Sequence, residues 1–214
     1  MNRVAFVLQI KPEQKDTLVA NGKKSWDDIT KTLDDLAMTN FSVWSICDFM
    51  FCYGETPLDS ASWKLTNAVA TIVAKLNGTC AVLAKPGTMR LMYHNIGVVR
   101  EDKSLIRHRV FATHLKPNCA DEYKARHDKL VEARGGAISD GPETNFTIWC
   151  ADNEFNFGYC ELVKSYDREM TEDEKQSSIA WETRQLEIMD WYSDDIDWIT
   201  GDTHDPVQLL CQYK

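Results

Sequence analysis

The pattern of hydrophobic and polar positions predicts the same order of strands and helices in the two halves of the chain. Each half opens with an alternating run, residues 4–10 and residues 110–115, and each run ends at a Lys-Pro pair. Alternation with a period of two predicts a strand, and proline is a common strand end. A helix is expected next: residues 12–33 in the first half, breaking at Asn21-Gly22, and residues 120–133 in the second, ending at Gly135-Gly136.

The rest of each half has a hairpin, a helix and a strand. Two aromatic and β-branched runs separated by a polar turn predict each hairpin. The second helices are expected at residues 60–76 and 172–189, and the last strands at residues 89–93 and 207–213. The order β-α-β-β-α-β is the ferredoxin-like pattern of an α+β fold. The exposed faces of two such sheets can cover each other, which predicts an intramolecular α+β barrel.

Local sequence matches show the same repetition. Residues 40–44 (Asn-Phe-Ser-Val-Trp) resemble residues 145–149 (Asn-Phe-Thr-Ile-Trp) at an offset of 105, which the two Lys-Pro pairs share. Residues 51–55 and 157–161 match at an offset of 106. Because three matches lie in the same order, we predict a tandem duplication. The first repeat is expected at residues 1–98 and the second at residues 108–214, joined by a charged linker near residues 97–107.

Composition limits the classes of binding partner and the cellular compartment that we expect for the protein. A net charge of -9 and a pI near 5.0 argue against nucleic acid as a partner, because phosphate binding needs clustered Lys and Arg. The acidic excess lies in the second half, around residues 172–174 and 194–205, as expected of solvated surface. There is no apolar run that would predict a signal peptide or a membrane span. The seven cysteines lack a Cys-x-x-Cys pair, which favours reduced thiols in a cytoplasmic protein over disulfides or a zinc site.

A candidate chemical site lies on the first helix of the second repeat. Tyr123 and His127 are four residues apart and therefore share one helix face. Both side chains can exchange protons, and histidine titrates near neutrality, so the pair could perform acid and base steps on a neutral polar substrate. The same spacing is also typical of an amphipathic packing pair.

Two motifs of the second repeat resemble the L-rhamnose mutarotase family. They are Glu-Tyr-x-x-x-His at residues 122–127 and the Asn-Phe-Thr-Ile-Trp segment that opens a strand at Asn145. The family's pair of adjacent tryptophans has its counterpart here in Trp191-Tyr192, where the second aromatic residue differs. The resemblance implies a dimeric α+β barrel in which a free deoxyhexose changes between its α and β anomers through the open-chain aldehyde.

The resemblance also implies roles for individual residues. His127 would be the principal acid and base, and Tyr123 would position or relay a proton at the anomeric centre. Trp191 and Tyr192 would wall the sugar pocket, although core packing is an equally good reading for Trp191. His114, in the first strand, is a further candidate for substrate contact, with a structural role in a polar interior as the alternative. No metal and no cofactor are required.

The first repeat lacks this chemistry, since the equivalent positions are Leu18 and Gly22. It is therefore expected to act as a scaffold, with one site per chain. A sugar mutarotase, an isomerase, is the leading hypothesis; a cofactor-free monooxygenase-like barrel enzyme and a non-catalytic sugar-binding protein are the alternatives. The internal pseudo-dimer favours a monomer and leaves a further homodimer open.

Overall fold

The computed structural model describes residues 1–137, 143–164, 171–193 and 207–213, and it divides the chain into two compact units. The first unit contains Met1–Met89 and Val207–Lys214, and the second contains Arg90–Pro206. The described strands are β1 (Asn2–Ile10), β2 (Thr39–Ile46), β3 (Phe49–Thr56), β4 (Cys80–Ala84), β5 (Arg90–Asn95), β6 (Ile106–Leu115), β7 (Glu143–Ala151), β8 (Phe155–Val163), β9 (Met189–Ser193) and β10 (Gln208–Tyr213). The described α-helices are α1 (Lys15–Lys24), α2 (Trp26–Asp35), α3 (Trp63–Lys75), α4 (Ala120–Arg134) and α5 (Glu172–Gln185).

Each unit contains a five-stranded antiparallel sheet. The strand order is β10-β2-β3-β1-β4 in the first unit and β5-β7-β8-β6-β9 in the second. When the edge strands β10 and β5 are left out, the remaining four strands of each sheet have the order of a ferredoxin-like unit. The predicted α+β class and the two ferredoxin-like units are therefore confirmed.

The last strands differ from the prediction. The strand predicted at residues 89–93 is β5, which pairs with β7 in the second unit, while β4 completes the first sheet. The strand predicted at residues 207–213 is β10, which pairs with β2 in the first unit, while β9 completes the second sheet. The two compact units therefore meet at Met89 and Arg90 and again at Pro206 and Val207, and not at the predicted repeat bounds of residues 98 and 108. An alternating run identifies a strand but not the edge to which it will bond.

Two of the described helix ends follow directly from local sequence signals. α4 ends at Gly135, which adopts the left-handed conformation (φ 59°) expected of a glycine after a helix. α5 begins at Glu172, as predicted, because Thr171 and Glu174 form a reciprocal capping box. The predicted break at Asn21-Gly22 is wrong, since Gly22 lies inside α1 and the chain breaks at Ser25. One glycine in a helix costs only about 1 kcal/mol, which tertiary packing can outweigh.

A repeated polar detail supports the predicted duplication. Each unit has a β-bulge at an asparagine with positive φ, Asn40 (48°) and Asn145 (50°). In each unit a buried glutamate accepts hydrogen bonds from an asparagine and a tyrosine: Glu55 from Asn40 (3.0 Å) and Tyr53 (2.8 Å), and Glu161 from Asn145 (3.0 Å) and Tyr159 (2.9 Å). Glu161 also accepts from the ammonium group of Lys103 (2.9 Å). Burying a carboxylate is costly unless it is hydrogen-bonded, so the asparagine and the tyrosine are needed together with it.

The acidic segment at residues 194–205 lies outside the described residues. Within the described ranges, no helix combines the length and the apolar character that crossing a membrane requires.

Candidate active site

A cavity of about 450 Å³ lies in the second unit between the sheet and the two helices. Strands β5, β6, β7 and β9 form its floor, and α4 and α5 form its roof. Tyr123 and His127 of α4 both line it, because residues four apart share a helix face. The structure thus places the predicted pair in a cavity of a size suited to a small ligand.

His127 is held in a defined tautomer. Its side chain is 5% exposed, and its ring Nδ1 lies 3.0 Å from the backbone carbonyl oxygen of Tyr123. A carbonyl only accepts, so Nδ1 carries the proton and donates it, and in the neutral ring Nε2 keeps a basic lone pair. Burial lowers the pKa of His127, an effect that the hydrogen bond to Tyr123 partly offsets. The imidazole is therefore neutral at pH 7 and available as a base.

The phenol of Tyr123 is held in its protonated form. Its side chain is 3% exposed, and its ring stacks on His127 with the centroids 4.3 Å apart. Burial raises the pKa of Tyr123 well above its usual range, and the nearby negative charge of Glu182 raises it further. The phenol therefore keeps its proton, so a neutral base and a neutral donor lie side by side.

Charged side chains of the cavity were missed by the sequence reasoning. Arg109 and Glu143 form an ion pair of 3.6 Å at its wall, and Glu182 of α5 also lines it. Arg109 alternates with Phe111 and Thr113 on the cavity face of β6, a pattern that the sequence contains. The charges alone did not indicate a site, because most charged residues are solvated surface.

Gln185 is the buried polar residue of this wall that bears most directly on a ligand. It is 1% exposed, and neither the nitrogen nor the oxygen of its side-chain amide has a hydrogen-bond partner within the described part of the chain. Such a group costs about 1–3 kcal/mol, which a bound polar molecule would recover. Ser178, Trp181, Glu182 and Gln185 recur at helical spacing along one face of α5, and this pattern could have marked that face as a pocket wall.

Aromatic rings enclose the reactive pair. Trp191 lines the cavity and contacts Phe111 edge-on, with the ring centroids 5.6 Å apart. Tyr93 and Trp181 each lie 5.2 Å from the imidazole of His127, measured between ring centroids. The sequence reasoning missed both, because Tyr93 was placed in the first repeat and Trp181 was an ordinary position in a helix.

Two predicted substrate contacts do not lie in this cavity. His114 has a side chain that is 40% exposed and lies 3.2 Å from Glu154, and Tyr192 packs edge-on against Phe155. Successive residues of a strand point to opposite faces. Because Thr113 and Trp191 point into the cavity, their neighbours His114 and Tyr192 point away, and neither side chain is in a position to contact a ligand there.

In the described part of the chain, no three His, Cys, Asp or Glu side chains gather as potential metal ligands. The groups in the cavity are suited to moving protons on an uncharged, hydroxyl-bearing molecule. The fold and the site therefore define an α+β protein with an acid and base pocket between a sheet and two helices.

The family comparison agrees with this chemistry. Residues 108–207 match the family model described as L-rhamnose mutarotase. The match agrees with the resemblance that the two motifs of the second repeat indicated, and at the family level it suggests an enzyme of isomerase type. The match includes the helix that carries Tyr123 and His127.

Two solved structures are similar to the chain, each at 8% sequence identity. One is a "putative monooxygenase from Lactobacillus acidophilus NCFM", with a TM-score of 0.39 over 75% of this chain and 77% of that one. The other is an anthrone oxidase-like protein, with a TM-score of 0.47 over 98% of this chain and 94% of that one. A search of curated proteins gave no match.

Proposed function

We propose that the second unit interconverts the α and β anomers of L-rhamnose or a related deoxyhexose. The observation that carries this proposal is the pairing of a neutral, tautomer-defined His127 with a protonated Tyr123 in one polar cavity. The family match supports a sugar mutarotase, and the choice of a deoxyhexose is our proposal.

The reaction requires two proton transfers. In the opening step, Nε2 of His127 takes the proton from the anomeric hydroxyl as the bond between the anomeric carbon and the ring oxygen breaks. The ring oxygen receives a proton as it leaves, with the phenol of Tyr123 positioned to donate or relay it. Rotation of the open-chain aldehyde by half a turn and reversal of both transfers give the other anomer. No electrons leave the sugar, so the step needs no oxidant.

The rest of the cavity suits recognition of a sugar. The amide of Gln185 can both donate to and accept from hydroxyl groups, and Arg109 and Glu143 are further partners. The aromatic face of Trp191 suits the C–H patches and the methyl group of a deoxysugar.

Exchange spectroscopy by nuclear magnetic resonance on a panel of free hexoses and deoxyhexoses tests the proposal. The native chain should accelerate exchange between anomers, and His127→Gln should reduce that acceleration by about 10²-fold or more, the usual contribution of an acid or base group. His114→Gln is the matched control, because this histidine lies outside the cavity, and it should leave the rate unchanged.

The outcomes separate the candidate functions. Binding of a sugar without faster exchange would favour the non-catalytic sugar-binding protein. Absence of both effects for every sugar, or full activity in His127→Gln, would exclude the proposed reaction.

A further inference from the structure

The first unit contains a cavity of about 260 Å³ at the position that corresponds to the mutarotase-like site. Its walls come from the first sheet, from α1, α2 and α3, and from β10. At the repeat offset of 105, Leu18 and Gly22 are equivalent to Tyr123 and His127, and they line the first cavity as the latter line the second. The repeat without acid and base groups has therefore kept a pocket at the equivalent position.

The chemistry of this cavity differs from that of the second. Leu18 replaces the phenol, Gly22 replaces the imidazole, and Leu8 stands where the second repeat has Thr113. Burial raises the pKa of Cys52 and of Cys211, so these two thiols in the wall are neutral. The hydroxyl groups of a sugar would give up hydrogen bonds to water here and find few partners in the cavity wall, which is unfavourable. An apolar molecule would gain free energy from leaving water.

The cavity is accessible to a ligand from outside. Val19 and Trp26 in its wall are half-buried, and the charged residue Lys23 is exposed. Its volume exceeds the roughly 150 Å³ of an engineered apolar cavity that binds benzene. A single aromatic ring would leave part of this space empty, while two fused rings or a short alkyl chain would use more of it.

Gly22 keeps the space open. A Cβ atom built at this position has Leu76 Cδ2 as its nearest neighbour at 3.8 Å, so a larger side chain would meet no backbone and would enter the cavity. Glycine inside a helix lowers stability, and α1 tolerates it here although the site has room for a side chain.

We propose that the first unit is a binding site for a small, uncharged apolar molecule of about the size of two fused aromatic rings. The ligand enters between Val19 and Trp26 and rests against Leu18 and Gly22. The chain then has two ligand sites of opposite polarity, one in each unit. This proposal stands independently of the sugar chemistry of the second unit.

The test uses 1-fluoronaphthalene as the probe, observed by fluorine magnetic resonance on the full chain. The native protein should bind it saturably, and Gly22→Leu should lower the affinity at least tenfold while raising Tm, because the new side chain occupies the cavity. Leu210→Trp, which fills the same cavity from β10, should also weaken binding. Gly22→Ala adds one methyl group and should keep most of the affinity.

His127→Ala is the control for binding in the other unit and should leave the probe's affinity unchanged. Absence of saturable binding, or native affinity in both filling variants, would overturn the proposal. So would loss of binding in His127→Ala alone, since that result would place the probe in the second cavity. Sugar exchange, measured separately on the same variants, reports on the function proposed for the second unit.

Discussion

Gln185 has an amide that the described protein leaves without hydrogen bonds, although the side chain is 1% exposed and lines the second cavity. For the neighbouring base, His127, the hydrogen bond fixes the tautomer instead. Its Nδ1–H donates to the backbone carbonyl of Tyr123 in the same helix, so the basic lone pair is on Nε2. Gln185 therefore has hydrogen-bonding groups that a polar ligand can satisfy, and His127 is in the protonation state that allows it to remove a proton.

Replacement of Gln185 by methionine separates these roles. Removing a buried amide that has no partner should leave the free energy of unfolding unchanged or raise it, because the burial cost disappears. Sugar affinity should fall by about tenfold or more, which corresponds to about 1.4 kcal/mol. Thermal unfolding and a magnetic resonance titration measure the two quantities. Gln176→Met, at an exposed position of the same helix, should change neither, and a loss of stability with unchanged affinity in Gln185→Met would contradict this role.

Strand β8 shapes the second cavity through one glycine. Gly158 pairs with Phe111 of β6, and a Cβ atom at residue 158 would lie 2.2 Å from Cζ of that ring. The first repeat has Cys52 at the equivalent position. The glycine therefore allows the Phe111 ring to lie flat over β8, where it supports Trp191 at the cavity wall.

Gly158→Ala should displace that ring. We expect the free energy of unfolding to fall by about 1–3 kcal/mol, as for other overpacked cores, and sugar exchange to slow because Phe111 moves in the site. Gly22→Ala is the matched change in the first unit, where the new methyl group has room, and it should stabilise the chain by about 0.5–1 kcal/mol. Denaturant unfolding measures the free energy of unfolding of both variants. Equal changes for the two substitutions would show that the Phe111 ring does not prevent a larger side chain at residue 158.

At the scale of the whole molecule, each sheet includes a strand from outside its own repeat. β5 pairs with β7 and brings Tyr93 to the imidazole of His127, and β10 pairs with β2 and brings Leu210 to the first cavity. The sheet of each unit is therefore incomplete without the segment that the repeat boundaries would assign to the other unit.

A chain that ends at Pro206 tests this arrangement. Without β10, strand β2 becomes an edge, and the hydrogen bond from Tyr213 to Asp34 (2.5 Å) is lost. Amide hydrogen exchange in β2 should accelerate at least tenfold, while exchange in β7 should stay as in the full chain. Unchanged protection in β2 would mean that β10 contributes little to the first sheet.

Local patterns in the sequence predicted the first strand, the hairpin and the helical regions of each repeat and the pairing of Tyr123 with His127, because capping, alternation and helical spacing act over a few residues. They did not predict β4 and β9. The tertiary structure decided which sheet received β5 and β10, and with them the unit boundaries. It also decided that Gln185, Trp181 and Tyr93 meet at the site while His114 and Tyr192 do not. Sheet edges and cavity walls join residues far apart in the chain, so their contacts follow from packing and register, which no local pattern specifies.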